Sequence, residues 1–112
     1  MFPTLRLAMA QFDFPVGSVS ANAKKVRDLM AQARSGDAAL VLFPELTLSG
    51  YPPEDLLIRP SFLQACASEL NALASTTDGI VAVLGHPYDE GELYNGASVL
   101  RERQVECTAT KQ

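Results

Sequence analysis

Apolar positions along the chain alternate between short continuous runs and longer stretches with a three-to-four-residue spacing. Leu5-Arg6-Leu7-Ala8-Met9-Ala10-Gln11-Phe12 is largely apolar and predicts a buried strand, ended by Pro15 and Gly17. Ser18 or Ser20 can then accept a backbone N–H as a helix cap. Beyond them Ala23, Val26, Met30 and Ala33 recur at helical spacing, with Leu29 beside them, while Lys24, Lys25, Arg27, Asp28 and Arg34 cover the other side. This predicts an amphipathic helix closing near Ser35-Gly36. Ala38-Ala39-Leu40-Val41-Leu42-Phe43 is continuously apolar and suits a strand covered on both faces, with Pro44 closing it. A loop runs from Glu45 to Pro60. A second helix is expected from Ser61 to Ser75, with Phe62, Cys66, Leu70 and Leu73 on one stripe. Ile80 to Gly85 predicts another buried strand, stopped by His86-Pro87. Leu93 to Leu100 and Gln104 to Thr110 then read as a hairpin about Arg101-Glu102-Arg103. Strand, helix, strand, helix and three strands define an α/β chain whose early strands run parallel.

Composition narrows the partners. The 112 residues suffice for one small domain, and 47% hydrophobic with 20% charged residues is an ordinary globular mix. No apolar run approaches the roughly 20 residues that span a bilayer, so no membrane segment is expected. Net charge is -4 and the nine Lys and Arg residues are scattered, which makes nucleic acid a poor partner. Two cysteines, Cys66 and Cys107, are too few for a disulfide framework. With no leader pattern at Met1-Phe2-Pro3-Thr4-Leu5-Arg6, both are expected to be reduced thiols in a cytoplasmic protein. A strand pattern that runs to Lys111-Gln112 without a closing helix leaves one sheet face uncovered. Self-association through that face, or a longer parent chain, is expected.

Chemistry concentrates after the second strand. Glu45 stands just past its carboxyl end, where open α/β sheets gather ligands. Between Phe43, Leu46 and Leu48 it is expected to be partly desolvated, which raises a carboxyl pKa toward that of a general base. By position alone it could equally cap a helix or pair with an arginine. Cys66 falls mid-helix on an apolar stripe, the setting of a small core residue. Cys107 lies four residues before Lys111 on an extended segment, so their backbones are about 13 Å apart. His86, a lone histidine before Pro87, reads as structural. Asp55 and Glu54 suit a solvated helix start. No metal-ligand cluster or phosphate-cradling glycine loop is present.

Phe43-Pro44-Glu45 followed by Gly50-Tyr51 resembles the first motif of the nitrilase, or carbon–nitrogen hydrolase, superfamily. Leu7-Ala8-Met9-Ala10-Gln11-Phe12, Gly17 and Asn22 are similar to its first strand and helix entry. Gly85-His86-Pro87 and Leu93-Tyr94-Asn95-Gly96-Ala97 are similar to its third strand and following hairpin. Lys111 falls where the family carries its lysine. Gly50-Tyr51-Pro52-Pro53-Glu54-Asp55-Leu56-Leu57, with Arg59-Pro60 and Phe62, resembles the amino-terminal glutaminase domains of glutamine-dependent NAD synthetases.

The resemblance implies a four-layer α-β-β-α sandwich, of which residues 1–112 supply the amino-terminal part of one hydrolase domain, incomplete at its carboxyl end. It implies a Glu–Lys–Cys triad, with Glu45 as base, Lys111 beside the oxyanion and the cysteine beyond the lysine. Tyr51 would line the pocket or pack against its loop. Glutamine would be the substrate and a separate synthetase domain would receive the ammonia. No cofactor is implied for this domain, and ATP and magnesium for the synthetase. A homo-oligomer is expected, and the 112 residues alone are expected to be inactive. The turn Arg101-Glu102-Arg103 departs from the family's acidic residue and glycine, and Thr108-Ala109-Thr110 from its more usual aromatic and basic residues. A stand-alone amidase or carbamoylase and a non-catalytic α/β binding module remain as alternatives.

Overall fold

The structure, a computed structural model, describes residues 5–50, 59–89 and 92–111. The chain runs β1 (Leu7–Met9), α1 (Val19–Ser35), β2 (Leu40–Leu42), α2 (Pro60–Ala74), β3 (Val81–Asp89), β4 (Leu93–Arg101) and β5 (Gln104–Lys111). The five strands lie in one sheet in sequence order. β1, β2 and β3 are parallel, and β3, β4 and β5 are antiparallel. Two successive crossovers that step in one direction put α1 and α2 on the same face, where the helices touch each other.

The first strand is shorter than its apolar run. Parallel bonds extend only from Ala39 N–H to Arg6 O and from Ala10 N–H to Leu42 O. Phe12 leaves the sheet to meet Phe14 edge-to-face at 4.8 Å, with Lys25 Nζ 4.8 Å above the Phe12 ring. α1 begins after Ser18, whose hydroxyl makes no cap bond; its carbonyl accepts from Asn22 N–H. At the other end Ala38 N–H reaches Ala33 O and Asp37 N–H reaches Arg34 O. This is a Schellman closure whose left-handed residue is Asp37, at φ 62°, one position after Gly36.

One sheet face is packed beneath both helices, and among the described residues no helix lies on the other. Val41, Ala82, Leu84, His86, Ser98 and Leu100 are buried beneath the helices, against Ala23, Val26, Met30, Cys66 and Leu73. On the opposite face Leu7 and Met9 are 54% and 72% exposed, and Leu40, Leu42, Val81, Val83 and Val99 are half-buried. The expectation that β2 is covered on both faces is therefore corrected: only Val41 is sealed, because both crossover helices take the same side.

β3 also runs on through His86-Pro87, beyond the end that this dipeptide predicts. Val81 N–H, Val83 O and Gly85 O bond toward β2 and the turn after it, so alternation turns the Pro87 nitrogen away from β4 as well. A proline facing that edge removes no bond from the β3–β4 ladder, where Pro87 sits opposite Asn95. The β4–β5 turn has Glu102 and Arg103 both left-handed, at φ 50° and 66°, the geometry of a type I′ hairpin. Arg103 ties the turn down. Its N–H donates to Thr77 Oγ1 at 3.0 Å, and its guanidinium grips both Asp78 oxygens at 2.8 and 3.0 Å.

His86 is a buried structural residue. Nδ1 lies 3.0 Å from Pro87 O, which can only accept, so Nδ1 carries the proton and Nε2 accepts from Ser98 at 2.7 Å. Ser98 Oγ then accepts from Thr108, also at 2.7 Å. Burial holds the His86 pKa below its ordinary 6.5. The neutral ring is favoured by folding, so its stabilisation is complete above the unfolded pKa and is lost as pH falls toward the folded one. The urea midpoint of the chain is expected to fall between about pH 7 and pH 5, with a shallower fall in His86→Gln. Equal slopes in the two proteins would remove His86 from this role.

Candidate active site

The site grows from the end of β2. Phe43 N–H makes the last bond of the parallel pairing, to Val83 O at 2.9 Å. Pro44 then breaks the strand and the chain coils into a tight turn. Gly50 N–H returns to Leu46 O at 2.9 Å, Thr47 Oγ1 donates to Pro44 O, and Leu48 N–H reaches Gly85 O at 3.4 Å. Leu46, Thr47, Leu48 and Ser49 are all buried, so the turn is an inward-facing plug. Two of its residues are left-handed, Leu46 at φ 53° and Gly50 at φ 77°. Asn22 on α1 fastens the plug from the other side, its Nδ2 donating to Pro15 O at 2.8 Å and Leu48 O at 3.0 Å.

Gly85 sets the distance between this turn and β3. A methyl group there would sit 2.9 Å from Glu45 Cα and closer still to the Leu46 nitrogen. The backbone that carries Glu45 can lie against the strand only because position 85 has no side chain.

Glu45 is the exposed member of the turn, and its Oε1 accepts a hydrogen bond from Asn95 Nδ2 on β4. The expected desolvation is thus corrected. Leu46 and Leu48 point into the core rather than over the carboxylate, and Phe43 is only half-buried. Beside Glu45 an open cleft of about 340 Å³ is lined by Phe43, Val83, Gly85, Asn95, Ala97 and Ala109. The strand register sets Lys111 opposite Asn95. Glu45, Asn95 and position 111 therefore meet at one end of the sheet, although Glu45 and Asn95 are 50 residues apart in sequence. Asn95 was not singled out from the sequence as a site residue; its place in the Leu93–Ala97 segment was the available signal. Tyr51, Glu54 and Asp55 lie outside the described residues.

Neither cysteine belongs to this site. Cys66 is sealed in the core on α2, and burial pushes its thiol up to about 11, which keeps it protonated and unreactive. Cys107 is exposed and sits opposite Val99, four residues along β5 from Lys111 and so about 13 Å from the Asn95 level. Among the described residues no group of three or more His, Cys, Asp or Glu could hold a metal ion, and no helix is long and apolar enough to cross a membrane.

A βαβαβ sheet with a carboxylate at the end of β2 and a lysine across the neighbouring hairpin is the arrangement on which the comparisons bear. The family profile described as carbon-nitrogen hydrolase matches residues 6–110, and the chain belongs to that family. It is similar to the glutamine-dependent NAD(+) synthetase of Xanthomonas campestris, 56% identical over 110 residues that cover 96% of this chain and 20% of that protein. The NAD+ synthetase structure from Acinetobacter baumannii superposes with a TM-score of 0.89 at 35% identity, covering 96% of this chain and 21% of that one. An amidase structure from Nesterenkonia sp. gives 0.82 at 26% identity, covering 96% and 42%. The chain spans about a fifth of the length of the synthetases it matches.

Gly85→Ala is expected to lower the stability of the chain by about 1–3 kcal/mol in urea denaturation, through the forced retreat of the Glu45 turn. Gly36→Ala, where a methyl group meets nothing closer than 3.6 Å, is expected to stay within about 0.5 kcal/mol of the parent. Equal effects would show that the close approach at Gly85 does not matter.

Proposed function

We propose that this chain is the amino-terminal part of a glutaminase domain that supplies ammonia for NAD synthesis, with Glu45 as general base and Lys111 as oxyanion partner. The observation that carries the reading is Glu45 itself. It is held on a buried turn at the carboxyl end of β2, at the mouth of a cleft, with the Lys111 register position on the adjacent hairpin. The 56% identity to glutamine-dependent synthetases supports glutamine as the amide and a synthetase portion as recipient of the ammonia. A cytoplasmic setting, and ATP and magnesium as requirements of the synthetase portion alone, belong to the same proposal.

In this reaction Glu45 takes the proton of a cysteine thiol as the sulfur attacks the glutamine side-chain carbonyl carbon. The ammonium of Lys111 offsets the charge that develops on the carbonyl oxygen. The C–N bond then breaks, Glu45 returns its proton to the leaving nitrogen, and ammonia departs from a thioester. Water, deprotonated by Glu45, attacks the thioester and releases glutamate and the thiol. Cys66 is on the wrong side of the sheet for this step and Cys107 stands too far along β5. The nucleophile is therefore assigned outside these 112 residues, which are inactive by themselves. Tyr51, directly after the turn, is assigned to the substrate pocket.

A stand-alone amidase is the second reading, favoured by the likeness to the Nesterenkonia amidase, a protein solved with acrylamide added at its active-site cysteine. The much higher identity to the synthetases favours the first. The half-open sheet supports self-association of the isolated chain; light scattering at high concentration that showed single chains only would exclude it.

Glu45→Gln in a protein that joins this segment to its synthetase portion separates catalysis from architecture. Glutamine-dependent NAD formation is expected to fall at least about a hundredfold, while synthesis from free ammonia and the melting temperature stay as in the parent. Unchanged glutamine use, or a variant that no longer folds, would contradict the assignment.

A further inference from the structure

We propose that Asn95 is a positioning residue for Glu45: its amide holds one carboxylate oxygen so that the other is presented to the cleft as the proton acceptor. The inference rests on the reading of Glu45 as base and adds how that base is aimed.

Three observations carry it. Asn95 Nδ2 donates to Glu45 Oε1, bridging the turn after β2 to a strand that does not neighbour β2. Both ends of this bond are anchored independently. The Glu45 backbone is pressed against Gly85, and Asn95 is fixed in the middle of a three-strand ladder, opposite Pro87 on β3 and Lys111 on β5. With both backbones set, the side-chain torsions of Glu45 are what remains to be chosen, and the amide chooses among them.

The third observation is the residue type. Asparagine is disfavoured inside strands, so the ladder does not call for it. As a donor it is neutral and does not titrate, so it orients a carboxylate without neutralising it. An arginine or lysine at position 95 would form an ion pair and hold the carboxylate in its charged form. An unguided glutamate, exposed as Glu45 is here, would spread over several rotamers of which few address the cleft. A carboxylate has two oxygens, so one can take the amide proton bond and the other remain the base.

The test has two arms. In the 112-residue chain, the side-chain amide resonances of Asn95 are expected to move with pH and to cease moving in Glu45→Gln. Resonances indifferent to Glu45→Gln would overturn the proposal. In a protein that contains this segment and hydrolyses glutamine, Asn95→Ala is expected to lower kcat about 10- to 100-fold, with KM changed far less. Asn95→Asp keeps the shape of the side chain and removes the donor, so it is expected to lose at least as much as Asn95→Ala. A role in packing alone gives the opposite order, with Asn95→Asp close to the parent, and that order would overturn the proposal. Full activity in Glu45→Gln would overturn both this inference and the reading beneath it. An inactive Glu45→Gln with an unaffected Asn95→Asp would overturn the inference alone.

Discussion

The absence of a side chain at Gly85 sets how near the turn after β2 can lie to β3, and most of the site geometry follows from it. A turn of four buried residues, Leu46 to Ser49, is an unusual thing to press against a strand. It needs a partner for Leu48 N–H, supplied by Gly85 O, and for Leu48 O, supplied by Asn22 from α1. It also needs residues that accept left-handed backbone, and Gly50 is one of them. Leu46 is another, without glycine's freedom, and its burial against the core offsets the local strain. Glu45 is carried on the rim of this plug. A carboxylate held on a buried turn moves less than one on a free loop, which suits the role of base proposed for Glu45.

The sheet divides its labour by face. Beneath the helices the apolar core is interrupted by His86 and Ser98, which join half-buried Thr108 in a chain of hydrogen bonds. The other face carries Leu7, Met9, Leu40, Leu42, Val81, Val83 and Val99 in varying exposure. Covering large aliphatic side chains of this kind contributes about 1.5–3 kcal/mol for each one fully buried. A second sheet packed there, as in the sandwich expected of the family, would gain that contribution.

Much of this was legible in the sequence because it is local. The stripe Ala23, Val26, Met30 and the stripe Cys66, Leu70, Leu73 give the helices; continuous apolar runs give the strands; and the order of elements gives parallel pairing. What was not legible depends on distant neighbours. Pro87 was read as a strand stop because a proline removes a donor, yet whether that donor is needed depends on which edge of β3 faces β2. The end of α1 at Ser35-Gly36 is legible, but that the following Asp37 takes the left-handed position is not. The exposure of Glu45 depends on what lies over the sheet, which flanking leucines do not report. The Asn95–Glu45 bond joins positions whose proximity exists only after β3 and β4 have paired.

The account stands on the claim that this chain carries the base of an amide hydrolase and not its nucleophile. Ammonia release from glutamine by the purified 112-residue chain tests it directly. No release above the uncatalysed rate is expected, with or without Cys66 and Cys107 in place. Turnover of glutamine that disappears in Cys107→Ala would contradict the account, because it would place a working nucleophile on β5 where the register sets it far from Glu45.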